Sequence, residues 1–216
     1  MRVDLHLHTS ASHDCSSDPE DVFRQCQRLG LGPVFITDHD TIDAARALAQ
    51  VHPGEVVIGE EITTTSGELI GLFLSEAVPA GLSPEETAQR IKSQGGIVYV
   101  QHPFDRLRRH LPIEAIERMA HFIDVVEVFN ARADMRANAA AEDLRATLGS
   151  AGGAGSDAHK VSEIGCAYVE LDAFRDAVSF LGNLSGGEVN SHPNRIRMIA
   201  RARLGRFVRP AGSVLA

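Results

Sequence analysis

The chain has 216 residues, 44% of them apolar and 23% charged, with 21 Lys and Arg against 29 Asp and Glu for a net charge of −8. That length and apolar share fit one globular domain with a sizeable core, with room for a small appendage. The acidic balance argues against a phosphate-backbone binder, the three cysteines lack the pairing of a disulfide scaffold or zinc ribbon, and no apolar run reaches the roughly 18 residues of a membrane span.

From the N-terminus, MRVDLHLH alternates apolar and polar residues and has no apolar signal core, so a strand in a cytoplasmic protein is expected. Further short, apolar, β-branched runs follow at 34–37, 56–63, 69–74, 97–101, 125–129, 154–156 and 167–171. Between most of them lie helical patterns, at 19–29, 83–95, 112–122, 134–148 and 172–181. The first has Asp18 placed to cap it, Pro19 at its first position and Gly30 to stop it. The second repeats that grammar with Ser83, Pro84 and Gly95. Strands alternating with helices over a whole chain imply parallel pairing. Seven or eight strands in about 180 residues predict an α/β fold with mainly parallel strands in a closed or nearly closed barrel. An open doubly wound sheet is the other architecture compatible with the pattern.

The barrel domain is expected over 1–182, and 183–216 forms a basic C-terminal extension with six arginines and one acid. In that extension Ile196, Ile199, Ala200, Leu204 and Phe207 make an apolar stripe, which predicts a helix packed on the barrel with the arginines in water. A phosphate or nucleic-acid contact is the alternative use of those arginines.

Ten histidines are spread along the chain, and five stand where predicted strands end: His6 and His8, His39 in ITDHDT, His102 in VYVQHPF, and His159 in GSDAH. Asp14, Glu60 and Glu61, Glu68 and Asp157 keep the same company. Each motif alone is weak. An H-x-H puts both rings on one face of any strand, Asp40 fits a cap for the helix after it, and His102 is compatible with an ordinary core histidine. A strand buried on both faces, however, has little room for an unpaired carboxylate such as Glu61. In a parallel barrel the strand C-termini converge on one face, so the set together points to a metal site with several ions. Histidine and carboxylate donors without cysteine suit Zn²⁺, Mn²⁺ or Fe²⁺. Asp4 and Asp38 precede ligand candidates and face the other way, which gives them supporting roles.

DLHLHT, ITDHDT, IGEEIT, QHPF and GSDAH, in this order and spacing, resemble the PHP (polymerase and histidinol phosphatase) family of metal-dependent phosphoesterases over residues 3–171. The resemblance implies a distorted TIM-like barrel of the (β/α)7 type, in agreement with the strand count, and two or three divalent ions as cofactors. It implies that His6 and His8 bind a first metal with Glu61 and Asp157, that Glu61 bridges to a second metal also held by His102, and that His39, His159 and Asp14 hold a third. Many relatives place a further histidine between the bridging glutamate and the HP motif. This chain has none from 53 to 101, and Glu68 stands in its place. Of the neighbours His13 and Asp14, Asp14 is the preferred loop ligand.

The implied reaction is hydrolysis of a phosphate ester by a metal-activated water held by His6, His8, Glu61, Asp157 and His159. Substrate contacts are expected from Arg106 and Arg132 first, with Asn130 and Lys160, while Arg108 and Arg109 lie in the same loop as Arg106. Short loops favour a small phosphorylated substrate, a phosphomonoester or nucleotide. A 3′–5′ exonuclease or oligonucleotide phosphodiesterase and a histidinol phosphatase are alternatives within the class. An amidohydrolase fits worse, because the only lysines are Lys92 and Lys160 and Glu61 holds the bridging position. A non-catalytic metal-binding module fits worse too, because nearly every ligand position is filled.

Overall fold

The computed structural model describes residues 1–192. The extension beyond His192, with its predicted amphipathic helix, lies outside the described residues. Six strands form one sheet in chain order: β2 (Val34–Ile36), β3 (Val56–Thr64), β4 (Gly67–Leu72), β5 (Ile97–Val100), β6 (Val125–Asn130) and β7 (Ala151–Gly155). A second, antiparallel sheet joins β1 (Arg2–Val3), β8 (Ala167–Glu170) and β9 (Glu188–Ser191). The helices are α1 (Pro19–Leu29), α2 (Asp43–Val51), α3 (Pro84–Ser93), α4 (Ile113–Arg118), α5 (Met135–Leu148) and α6 (Ala177–Leu184).

Local chemistry sets most helix ends as expected. Asp18 accepts from the backbone of Glu20 and Asp21 to start α1, and Gly30 ends it at φ 66°. Ser83 and Glu86 form a capping box on α3, and Asp134 caps α5. Two expectations fail. The last helix begins at Ala177, not 172, because Asp176 is bound by Ser179 and caps the chain there. Asp40 does not cap α2; its carboxylate accepts from Thr63 N and Oγ1 at 2.7 and 2.8 Å and ties the 37–42 loop to β3.

The sheet is curled and mixed, which corrects the expectation of mainly parallel strands. β2–β3, β5–β6 and β6–β7 are parallel, but β3–β4 and β4–β5 are antiparallel. The cause is a tight turn after Thr64, where Thr64 Oγ1 donates to Gly67 O and leaves no space for a crossover helix. The first segment runs between the two edges of this sheet. Leu5 N and His8 N donate to Ala154 O and Ala158 O on one side, and Thr37 N donates to Leu7 O on the other. Residues 183–192 of the basic extension complete α6 and supply β9, which pairs with β8.

The inner core packs Leu5, Phe35, Ile70, Tyr99 and Val125, and a second core lies between the sheet and the helices around Ile62, Ile91, Val98 and Ile116. No described helix is long and apolar enough to cross a membrane.

Candidate metal centre

The ends of β2, β5, β6 and β7, the start of β4 and the loop after residue 8 converge on one cavity of about 230 Å³. His13, Asp14, His39, Glu61, Glu68, His102, Arg108, Arg109, Arg132, Asp157 and His159 line it, and His6 and His8 lie buried beneath.

Glu61 is the hub. Its Oε2 lies 3.0 Å from His6 Nε2, 3.3 Å from His8 Nε2 and 3.6 Å from His39 Nδ1, and its Oε1 lies 3.5 Å from His102 Nε2. Burial alone would raise its carboxyl, but the neighbouring His6, His8 and His102 rings hold it well below the usual range. Asp157 Oδ1 stands 3.5 Å from His8 Nε2 and 3.4 Å from His159 Nδ1. Asp14 Oδ2 lies 2.8 Å from His159 Nε2 and 3.8 Å from His39 Nε2. His13 only packs its ring near His39, at 5.0 Å.

One hydrogen-bond chain tests whether cations fit here. Ser12 Oγ gives its proton to Asp38 at 2.7 Å, so it can only accept from His8 Nδ1 at 3.1 Å. Nδ1 of His8 therefore carries a proton, and Nε2 faces the carboxylates of Glu61 and Asp157 with no hydrogen-bond partner. A ring nitrogen buried against two carboxylates calls for positive charge between them, which a divalent ion would supply. His39 Nδ1 and His102 Nδ1 are likewise buried without a partner. Burial holds His102 and His159 down at about 4, reinforced by Arg108 for the former and by His8 and Arg132 for the latter, so both rings are neutral donors. Burial also lowers His6, but Glu61 and Glu127 outweigh it and lift this ring to about 9, with one proton toward each carboxylate; a divalent ion at Nε2 would take the place of the proton facing Glu61. These donors fit a divalent ion.

Donor atoms come within 4.8 Å of one another in four groups: His6, His8 and Glu61; His6, His102 and Asp157; His8, His39 and His159; and His39, Glu61 and Glu68. Glu68 reaches the cavity because β4 runs downward from it; it pairs with Thr63 at the top of β3. Burial and the nearby Glu61 push its carboxyl up to about 7, against the pull of Arg109. His102 and Asp157 hold left-handed backbones at φ 29° and 53°. Such conformations cost of order 1–3 kcal/mol each and gather at functional sites.

The arginines sort differently from expectation. Arg132 lines the cavity and sets its Nη1 against His159 Nδ1 and Asp157 O. Arg106 does not reach the cavity; it is exposed beside Phe104 and Arg136. Asp105 instead draws Arg108 inward with bonds of 2.8 and 2.6 Å, and Arg108 meets Asn130 and Asp157. Lys160 is exposed outside the cavity. Asn130 is fully buried, with Oδ1 accepting from Arg108 and Arg132 and Nδ2 donating to Glu127 and Asp157, so it braces the site from below. Sequence reasoning missed Ser12, Gln101 and Glu127. A glutamate inside the apolar run VVEVF was the available sign of the last.

The fold and this cluster define a class: an α/β chain with a candidate polynuclear metal centre at one end of a curled sheet. A family model described as PHP-associated matches residues 135–189. Two proteins of Methanocaldococcus jannaschii are similar: the uncharacterized protein MJ1587, 40% identical over 144 residues (61% of this chain, 82% of that one), and the uncharacterized protein MJ0417, 36% identical over 177 residues (79% and 70%). A two-domain protein of Bacteroides vulgatus containing a predicted PHP-like metal-dependent phosphoesterase shares the fold, with a TM-score of 0.71 at 17% identity over 93% of this chain and 69% of that one. The lesion-specific endonuclease Q of Pyrococcus furiosus shares it too, with a TM-score of 0.62 at 16% identity over 88% and 58%. The chain belongs to the PHP family.

Proposed function

We propose that this chain is a metal-dependent phosphoesterase acting on a small phosphomonoester or nucleotide. The observation that carries the reading is the unpartnered His8 Nε2 held against Glu61 and Asp157, in a cavity that three arginines also line. His6, His8, Glu61 and Asp157 would hold one ion; Glu61, Glu68 and His102 a second; Asp14, His39 and His159 a third. Bound ions of this kind acidify water and neutralise phosphoryl oxygens. Arg108, Arg109 and Arg132 would grip the phosphate, and Asp105 and Asn130 fix the fork of Arg108 in advance of binding. A compact cavity of about 230 Å³ suits a phosphoryl group carried on a small substrate. A nucleic-acid substrate is the second reading, supported by the fold shared with endonuclease Q and by the arginines of 193–216.

The test is the metal content of the purified protein together with its rate on phosphomonoesters, nucleotides and short oligonucleotides. Bound divalent metal and metal-stimulated hydrolysis are expected, and His8→Ala and Glu61→Ala should each remove metal and lower kcat/KM by at least ~10²-fold. Absence of metal-stimulated hydrolysis across the panel overturns the reading.

A further inference from the structure

Glu127 is fully buried in β6 beneath the cavity, and its two oxygens receive four hydrogen bonds. Oε1 meets His6 Nδ1 at 3.1 Å and the Tyr99 hydroxyl at 3.0 Å. Oε2 accepts from the backbone N–H of His102 at 2.8 Å and from Asn130 Nδ2 at 2.9 Å. The orientation of the Asn130 amide is fixed, because its Oδ1 already accepts from two obligate donors, Arg108 and the Arg132 backbone. The partners therefore differ in kind. The two on Oε2 can only donate, whereas His6 and Tyr99 can each donate or accept.

We propose that Glu127 is the positioning residue that keeps the proton of His6 on Nδ1 and so delivers the Nε2 lone pair to a divalent ion at Glu61 and His8. The carboxylate accepts at both oxygens, so Nδ1 must donate to it. The ring then presents Nε2 toward Glu61 Oε2, 3.0 Å away. A histidine ligand whose far nitrogen is tied to a carboxylate is both oriented and made more basic. The fold is arranged around this contact. A Cβ on Gly155 of β7 would fall on His6 Cβ and lie 2.8 Å from Glu127 Oε1, so bare backbone is what admits the pair. The inference rests on the metal-centre reading of His6 and is independent of which ester is hydrolysed.

Glu127→Gln is the decisive variant because it has the same shape and the opposite effect on the proton. Its amide oxygen must take the Oε2 position, where two obligate donors wait. Its NH₂ then faces Tyr99 and His6, and Nδ1 of His6 must accept. The His6 proton moves to Nε2, against Glu61, and the cost is confined to the Tyr99 hydroxyl, which now accepts from the amide and loses its acceptor. Zinc affinity, measured by competition with a chelator, should fall by about 10–100-fold in Glu127→Gln while the protein stays folded, melting above Glu127→Ala. Glu127→Ala leaves His6 free to choose its tautomer, so it should bind zinc better than Glu127→Gln although it melts lower. A residue that only fills space would give the reverse order of affinities. A second measurement needs no variant: nitrogen-15 spectra of the zinc-loaded wild type should show His6 protonated at Nδ1. Wild-type zinc affinity in a folded Glu127→Gln, or a His6 lacking the Nδ1 proton in the wild type, overturns the proposal. Neither result touches the phosphoesterase reading, which fails instead on the substrate panel.

Discussion

Two neighbouring glutamates on β3 show how a residue's face decides its chemistry. Glu61 points into the site and meets four histidine rings. Glu60 points the other way, is fully buried, and has a single hydrogen bond, from Val78 N to Oε2 at 2.8 Å, while Oε1 has no partner. Burial, with Asp40 nearby, raises its carboxyl from 4.5 to about 7 despite that bond. The unfolded chain ionises this group near 4.5, so above pH 7 folding buries a charge that water would have solvated. The resulting loss of stability shrinks as pH falls through 7 and is gone below 4.5. At about 1.4 kcal/mol per pKa unit it is on the order of 3 kcal/mol at pH 8. Glu60→Gln should therefore be more stable than wild type at pH 8 and lose that advantage by pH 4.5 in urea unfolding. A difference that stays constant with pH would refute this account.

At the level of elements, the antiparallel β4 and the bare β7 make the centre possible. Glu68 stands at the beginning of β4, and in an all-parallel barrel that end would lie on the face away from the histidines. The tight turn after Thr64 reverses the strand and brings Glu68 up beside Glu61. β7 reads AGGAG, and Gly153 and Gly155 face inward where a side chain would collide with Tyr99 and His6. Gly155→Ala should cost about 1–3 kcal/mol, the usual penalty for overpacking. It should also displace His6 and reduce bound zinc. Full zinc occupancy in a folded Gly155→Ala would show that the close approach of β7 is not required.

For the whole molecule, candidate ligands separated by as many as 153 positions, from His6 to His159, converge because the first segment lies between β2 and β7. Four carboxylates, those of Asp14, Glu61, Glu68 and Asp157, share one cavity. Their mutual repulsion is offset by histidine, by arginine and, on the proposed reading, by divalent ions. Ions that bind only the folded chain stabilise it by about 2.7 kcal/mol at a hundredfold excess over Kd. Chelation should then lower the melting temperature by roughly 5–10 °C for a chain of this size, and zinc or manganese should restore it. A melting temperature indifferent to chelator in a metal-containing sample would count against ligation by this cluster.

The sequence by itself determined the donors and the local grammar. Alternation placed His6 and His8 on one face, Asp18, Ser83 and Asp134 marked helix starts through bonds to residues two or three positions on, and a glutamate in a buried strand signalled a partner. These features depend on neighbours in the chain, so a linear reading reaches them. Only the tertiary structure decided that Arg108 rather than Arg106 enters the cavity, because Asp105 and Asn130 select between side chains two residues apart in one loop. It alone showed that Asn130 braces the site and that β4 is reversed. It alone set Glu127 under His6, 121 residues away, where four donors meet one carboxylate. The direction of a strand and the proton of a buried ring depend on groups remote in sequence, and periodicity carries no information about those.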